Sequence, residues 1–183
     1  MEHKGSYILL TGLLIITLLV TVVGTTFSYF GVTKKDSNGE QTIQVTNGTL
    51  IFKCDPNILA GYVNAGETLA TKTFTVNGTV SGSNNLNYEL DLNVGNNTFG
   101  DNNVFYTITS TNTSSNGVTI INSTQPVAIP NGTSSIKVGT GSFAGPVENG
   151  VHTYTINIYR SAESVVNEAE GPTFNATLDI VQG

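Results

Sequence analysis

From Leu86 to Val94 the chain reads Leu-Asn-Tyr-Glu-Leu-Asp-Leu-Asn-Val, apolar at every even position and polar at every odd one. A helix would scatter these five apolar side chains around its axis, whereas a strand places all of them on one side. A strand with one dry face must bury it against a second layer, so this stretch alone commits the chain to a sheet with a partner. Burying each of those side chains contributes about 1.5–3 kcal/mol before conformational entropy is subtracted.

The same signature recurs along the chain. Ile43 and Val45 alternate with polar residues, Asn47-Gly48 marks a turn, and 49–54 follows as a strand stopped by Asp55-Pro56. Residues 58–64 read as irregular, and Asn64-Ala65-Gly66-Glu67 as a tight turn into a Thr- and Val-rich strand over 71–80. Further strands are expected at 104–110, 117–122 and 135–138, with the Pro-containing segment 125–132 as an edge or loop. At the end, Tyr154, Ile156 and Ile158 share one face of a strand over 151–160. Phe174, Ala176, Leu178 and Ile180 share one face of another over 173–181. These two are expected to pair as a hairpin across the acidic loop that carries Glu163, Glu168 and Glu170. About eight short strands with Gly and Asn turns predict an all-β antiparallel sandwich, Ig-like or jelly-roll, over residues 42–183.

Ahead of this domain, residues 5–33 contain no Asp, Glu, Lys, Arg or His. Tyr7 to Val23 is almost wholly apolar with no polar stripe, so a helix here needs lipid or a translocon rather than a soluble core. About 20 such residues cross a hydrocarbon core of about 30 Å. Residues 1–33 are therefore expected to form a signal peptide or a membrane-anchor helix. The run is longer than a signal core, yet Thr26-Phe27-Ser28 before Tyr29 is an acceptable small-x-small site, placing cleavage between Ser28 and Tyr29. The flanking cations Lys4, Lys34 and Lys35 leave orientation open. Residues 34–41, with four charged side chains around Asn38-Gly39, read as an exposed linker.

Charged residues make up only 11% of the chain, against about 25% in an average soluble domain. Asn, Thr, Ser and Gly supply the polarity, a pattern common outside cells. A formal net charge of −6 and scarce Lys and Arg argue against nucleic acid, which needs clustered cations, and against anionic lipid as a partner of the domain itself. Cys54 is the only cysteine, which excludes an internal disulfide; it reads as a small buried hydrophobe.

Chemistry-bearing constellations are sparse. The two histidines, His3 and His152, make no zinc spacing, and no Gly-x-Ser-x-Gly elbow occurs, so no catalytic, cofactor or metal residues are assigned. His152 alternates in phase with Tyr154 and Ile156 and reads as a packing histidine. Glu89 and Asp91 read as a solvated strand face, and Asp101-Asn102-Asn103 matches no known calcium-loop pattern. Seven Asn-x-Ser/Thr sequons, at Asn47, Asn77, Asn96, Asn112, Asn122, Asn131 and Asn175, are close to what chance gives in so Asn-, Ser- and Thr-rich a chain.

Several short motifs fall in a particular order: Thr25-Thr26-Phe27-Ser28-Tyr29-Phe30, then Asn47-Gly48-Thr49-Leu50-Ile51, then Asn64-Ala65-Gly66-Glu67 ahead of Phe74-Thr75-Val76-Asn77. In this the chain resembles the TasA/camelysin family of exported Gram-positive proteins, with Ala65 where that family has Pro and Ser28 where it has Ala. The endings His152 to Ile156 and Gly171 to Phe174 are similar to uncharacterised exported members of the group. The resemblance implies a jelly-roll-like sandwich, removal of the leader by a dedicated signal peptidase, and a non-enzymatic fibre subunit of a biofilm matrix. It further implies that a strand near the mature N-terminus completes the next subunit, which places the donor at Tyr29, Phe30, Gly31 and Val32. The partners implied are further copies of the chain or other surface proteins, with the membrane reached through the leader. Some members have been described as proteases, for which this chain offers no constellation. Two other readings stand beside it: a membrane-anchored adhesin or glycan-binding module, and a pilin-like subunit cut after Lys4-Gly5, against which Leu10 occupies the position of the expected acidic residue.

Overall fold

The computed structural model describes residues 12–15, 17, 32–35, 40–55, 57–112, 117–121, 125–165 and 171–183, with the backbone alone for 32–34, 112 and 117–121. The first strands are β1 (Val32–Lys35), β2 (Gln41–Val45), β3 (Gly48–Lys53), β4 (Asn57–Ala60), β5 (Thr68–Val80) and β6 (Leu86–Asn97). They are followed by β7 (Val104–Asn112), β8 (Gly117–Ile121), β9 (Val127–Ala128), β10 (Ser134–Phe143), β11 (Val147–Arg160) and β12 (Phe174–Gln182). The strands form two antiparallel sheets, a seven-stranded one in the order β1-β2-β3-β5-β11-β7-β9 and a five-stranded one in the order β4-β12-β6-β10-β8. One buried cluster draws on both. Leu50, Phe74, Val76, Tyr106, Ile108, Tyr154 and Ile156 come from the first sheet and Leu86, Leu90, Leu92, Phe143, Phe174 and Leu178 from the second.

Period-two alternation decides which face each strand buries. Leu86, Tyr88, Leu90, Leu92 and Val94 are all buried, and so are Phe174, Ala176, Leu178 and Ile180 on β12. In β5 the buried residues Phe74, Val76, Gly78 and Val80 alternate with outward Thr and Asn. Glycine marks places where a core ring lies directly against the backbone, of the other sheet at Gly78 and Gly150 and of the neighbouring strand at Gly141. A Cβ at Gly150 would fall 2.5 Å from the Phe143 ring, and Gly78 and Gly141 likewise leave room only for Phe143 and Tyr88.

Several expectations change. The two last long strands are not a hairpin: β11 pairs with β5 and β7, whereas β12 crosses to the other sheet and inserts between β4 and β6. The connection over 161–173 is long enough to change layers, and the apolar faces of both strands look into the same core. Within the segment 58–64, expected to be irregular, residues 58–60 belong to β4 (Asn57–Ala60), where only Ile58 is buried and the alternation is too short to register, while 61–64 lie outside any strand. β10 runs to Phe143, past a bulge between Lys137 and Gly139 that breaks the pattern. In the segment read as a linker, Lys34 and Lys35 lie in β1 and Gln41 in β2, paired Lys34↔Thr42 and Lys35↔Gln41.

The leader lies mostly outside the described residues; positions 12–15 and 17 are helical, with Leu13, Leu14 and Ile15 exposed. Among the described residues no helix is long and apolar enough to cross a membrane. Ser28, Tyr29, Phe30 and Gly31 also fall outside the described residues, and Val32 is the first residue of β1.

Candidate functional site

Between the sheets sits the densest polar chemistry of the core. Tyr88 Oη on β6 lies 2.6 Å from His152 Nδ1 and 2.8 Å from Tyr154 Oη, both on β11. Tyr154 donates in turn toward the Thr140 carbonyl at 3.4 Å. Phe143 stacks on the imidazole with centroids 4.0 Å apart, and His152 Nε2 has no hydrogen-bond partner. We assign the protons so that His152 Nδ1–H donates to Tyr88, Tyr88 to Tyr154 and Tyr154 to Thr140. The orphan Nε2 is then a bare lone pair, which costs less in a core than an unpaired N–H. Burial pushes His152 down to about 4, so the ring is neutral, and it pushes both phenols up, Tyr154 to about 12. All three side chains are shut off from solvent, and the arrangement ties β6 to β11.

The other candidates are surface features. Glu89 pairs with Lys137 at 2.6 Å, and Asp179 accepts from Lys35 at 2.8 Å and from Asn93 at 3.0 Å, all on the outer side of the five-stranded sheet. Partial burial, then the Glu89 charge, raises the pKa of neighbouring Asp91. Asp101 accepts from the Asn131 backbone N–H at 2.8 Å and Asn103 donates to the Phe99 carbonyl at 2.8 Å, so that turn is held by internal hydrogen bonds. Among the described residues no group of three His, Cys, Asp or Glu could hold a metal ion. Cys54 is half-buried against the core, and burial pushes its thiol up to about 11, which disfavours the thiolate.

The N-terminal strand lies at one edge of the seven-stranded sheet. Among the described residues β1 is the outermost strand of the seven-stranded sheet and pairs with β2 alone. Two side chains fasten this hairpin to the opposite sheet. Buried Gln41 donates to the Ile180 carbonyl at 2.9 Å and accepts from the Ile180 N–H at 3.4 Å, while Lys35 reaches Asp179. At the other edge, β9 pairs with Phe105 and Tyr106 of β7.

Sequence reasoning passed over Gln41 and Arg160. Arg160 is almost fully buried, donating to the Val63 carbonyl at 2.8 Å and to Ser164, with its guanidinium 5.4 Å from the Tyr62 ring centre. The signal was present for Arg160, which stands in phase with Tyr154, Ile156 and Ile158 on the inward face. No protein-family model matches the chain, and no curated protein matches it in sequence.

Proposed function

We propose that this chain is a non-enzymatic, exported cell-surface or extracellular structural protein, a fibre or matrix subunit whose jelly-roll-like β-sandwich joins copies by strand addition. The observation that carries the reading is the place of β1. It begins at Val32, directly after Tyr29-Phe30-Gly31, and forms the outer edge of a sheet. An edge strand offers backbone N–H and C=O groups to another chain, and a segment continuous with it can pair with a neighbour. Such a contact is head-to-tail and does not close on itself, so repetition builds a filament. Residues 1–33 would deliver the domain across the cytoplasmic membrane, with cleavage between Ser28 and Tyr29 releasing the donor.

Deleting Tyr29 to Val32 should leave folded monomers by sedimentation and electron microscopy. Filaments that persist unchanged in the deletion would sink this assembly mode. A native N-terminus at Met1 rather than Tyr29 would point instead to a membrane-anchored adhesin.

A further inference from the structure

On the outer face of the seven-stranded sheet, three neighbouring strands place like residues side by side. β5 contributes Thr71, Thr73 and Thr75, β11 contributes Asn157, Thr155 and Thr153, and β7 contributes Thr107, Thr109 and Thr111. The registers align them in three rows, Thr71–Asn157–Thr107, Thr73–Thr155–Thr109 and Thr75–Thr153–Thr111, eight Thr and one Asn in nine positions. Strand geometry sets the spacing at about 4.8 Å across strands and about 6.8 Å between alternate residues along them. Two of the rows are fixed by side-chain bonds: Thr71 donates to Asn157 at 2.7 Å, and Thr73 and Thr155 share a hydrogen bond of 3.0 Å.

Strand propensity alone does not account for this choice. The outer face of the other sheet offers equivalent positions, and there the chain uses Glu89, Asp91, Lys137 and Asp179. In the Thr array no position is charged; Lys53 on β3 stands in register with Thr75 at its border, and Lys72, between Thr71 and Thr73 on β5, pairs with Asp55. The two clefts bordered by Gly141 and by Gly95 both lie on the five-stranded sheet. Thr71, Thr73, Thr109 and Thr111 are exposed, and the remaining members are half-buried.

We propose that this array is an ice-binding face, a two-dimensional lattice of threonines that orders water into register with a growing ice crystal. Each Thr carries a hydroxyl, which can anchor a water and in Thr71, Thr73 and Thr155 also bonds to a neighbouring side chain, beside a methyl, which forces neighbouring waters to bond to one another. Its branched Cβ holds both in one orientation. A charged side chain would instead orient its own hydration shell and break the lattice. The oxygen rows on the prism face of ice repeat at nearly the two spacings of the array. A periodic, uncharged surface suits a periodic solid rather than one flexible chain or a folded partner. Sheet twist, about 20–25° per strand, confines the match to these three strands. The expected activity is therefore strong inhibition of recrystallisation with a small freezing-point gap.

The test uses the full chain in mild detergent against a detergent-only control. Wild-type protein should be taken up into a slowly grown ice hemisphere and should stop grain coarsening in a frozen sucrose solution. Thr155→Lys, at the centre of the array, and Thr109→Lys, in its outer column, should both be excluded from ice with an unchanged circular dichroism spectrum. Thr177→Lys, on the other sheet's outer face, should be taken up like wild type. If Thr155→Lys does not fold, Thr109→Lys decides. Exclusion of the wild type from ice overturns the proposal, as does uptake of folded Thr155→Lys and Thr109→Lys at wild-type levels. Exclusion from ice combined with Thr155-dependent binding to insoluble cellulose or chitin would overturn it in favour of a polysaccharide surface.

Discussion

At His152 one side chain couples the core to pH. It is enclosed by Tyr88, Tyr154 and Phe143, with no carboxylate among its hydrogen-bond and ring contacts to stabilise an imidazolium. The unfolded chain takes up a proton at the ordinary value of 6.5 and the folded chain, because the ring is buried, only near 4. Between those values the unfolded state binds more protons, so stability falls as pH drops through the window, by on the order of 3 kcal/mol in full. Urea midpoints should decline from pH 6.5 to about 4, and His152→Phe should flatten that decline. An unaltered slope in the variant would place the acid sensitivity elsewhere. Asp55, held low first by its hydrogen bond from Lys72, and Glu67, held low by the Asn64 backbone N–H, lose their contributions as pH falls below their ordinary values of 3.8 and 4.5.

At the scale of the element, the hairpin of β1 and β2 is joined to the rest of its sheet by β3 and to the opposite sheet by Gln41 and Lys35. Gln41 satisfies both backbone groups of Ile180, so Gln41→Ala strands a buried N–H and C=O at a cost of about 1–3 kcal/mol. Hydrogen exchange should quicken at Ile180 and through 41–45 while β6 keeps its protection; equal protection in the variant would mean that the bridge carries no weight. Leu86 to Val94 was legible because nine residues of strict alternation outlast any helical reading. Asn57 to Ala60 was not, because one buried Ile in four residues carries no period. The mispaired ending shows a second limit. Alternation tells which side of β11 and β12 is dry, but sheet membership is set by long-range contacts that leave no local mark. The same holds for the Thr array: its columns stand in the sequence as alternate threonines, whereas its rows exist only once β5, β11 and β7 are in register.

For the whole molecule the question is whether two sheets behave as one unit. Phe143, at the end of β10, leaves its own sheet to lie over Gly78 and Gly150 of the other and stacks on His152 there. It also approaches Tyr88 from β6, with ring centres 5.8 Å apart, so its ring is shared by both layers. Neither Gly78 nor Gly150 can close over the space it would leave, because neither has a side chain. Phe143→Ala should therefore leave an uncollapsed cavity and cost about 3–5 kcal/mol. Because that ring is common to both sheets, the loss should appear as one cooperative transition moved to lower denaturant with its slope unchanged. Residue-resolved exchange should show β5 and β11 losing protection together with β6 and β12. If the five-stranded sheet instead opened at lower denaturant than the seven-stranded one, the two layers would be separate folding units and the shared core only a contact between them.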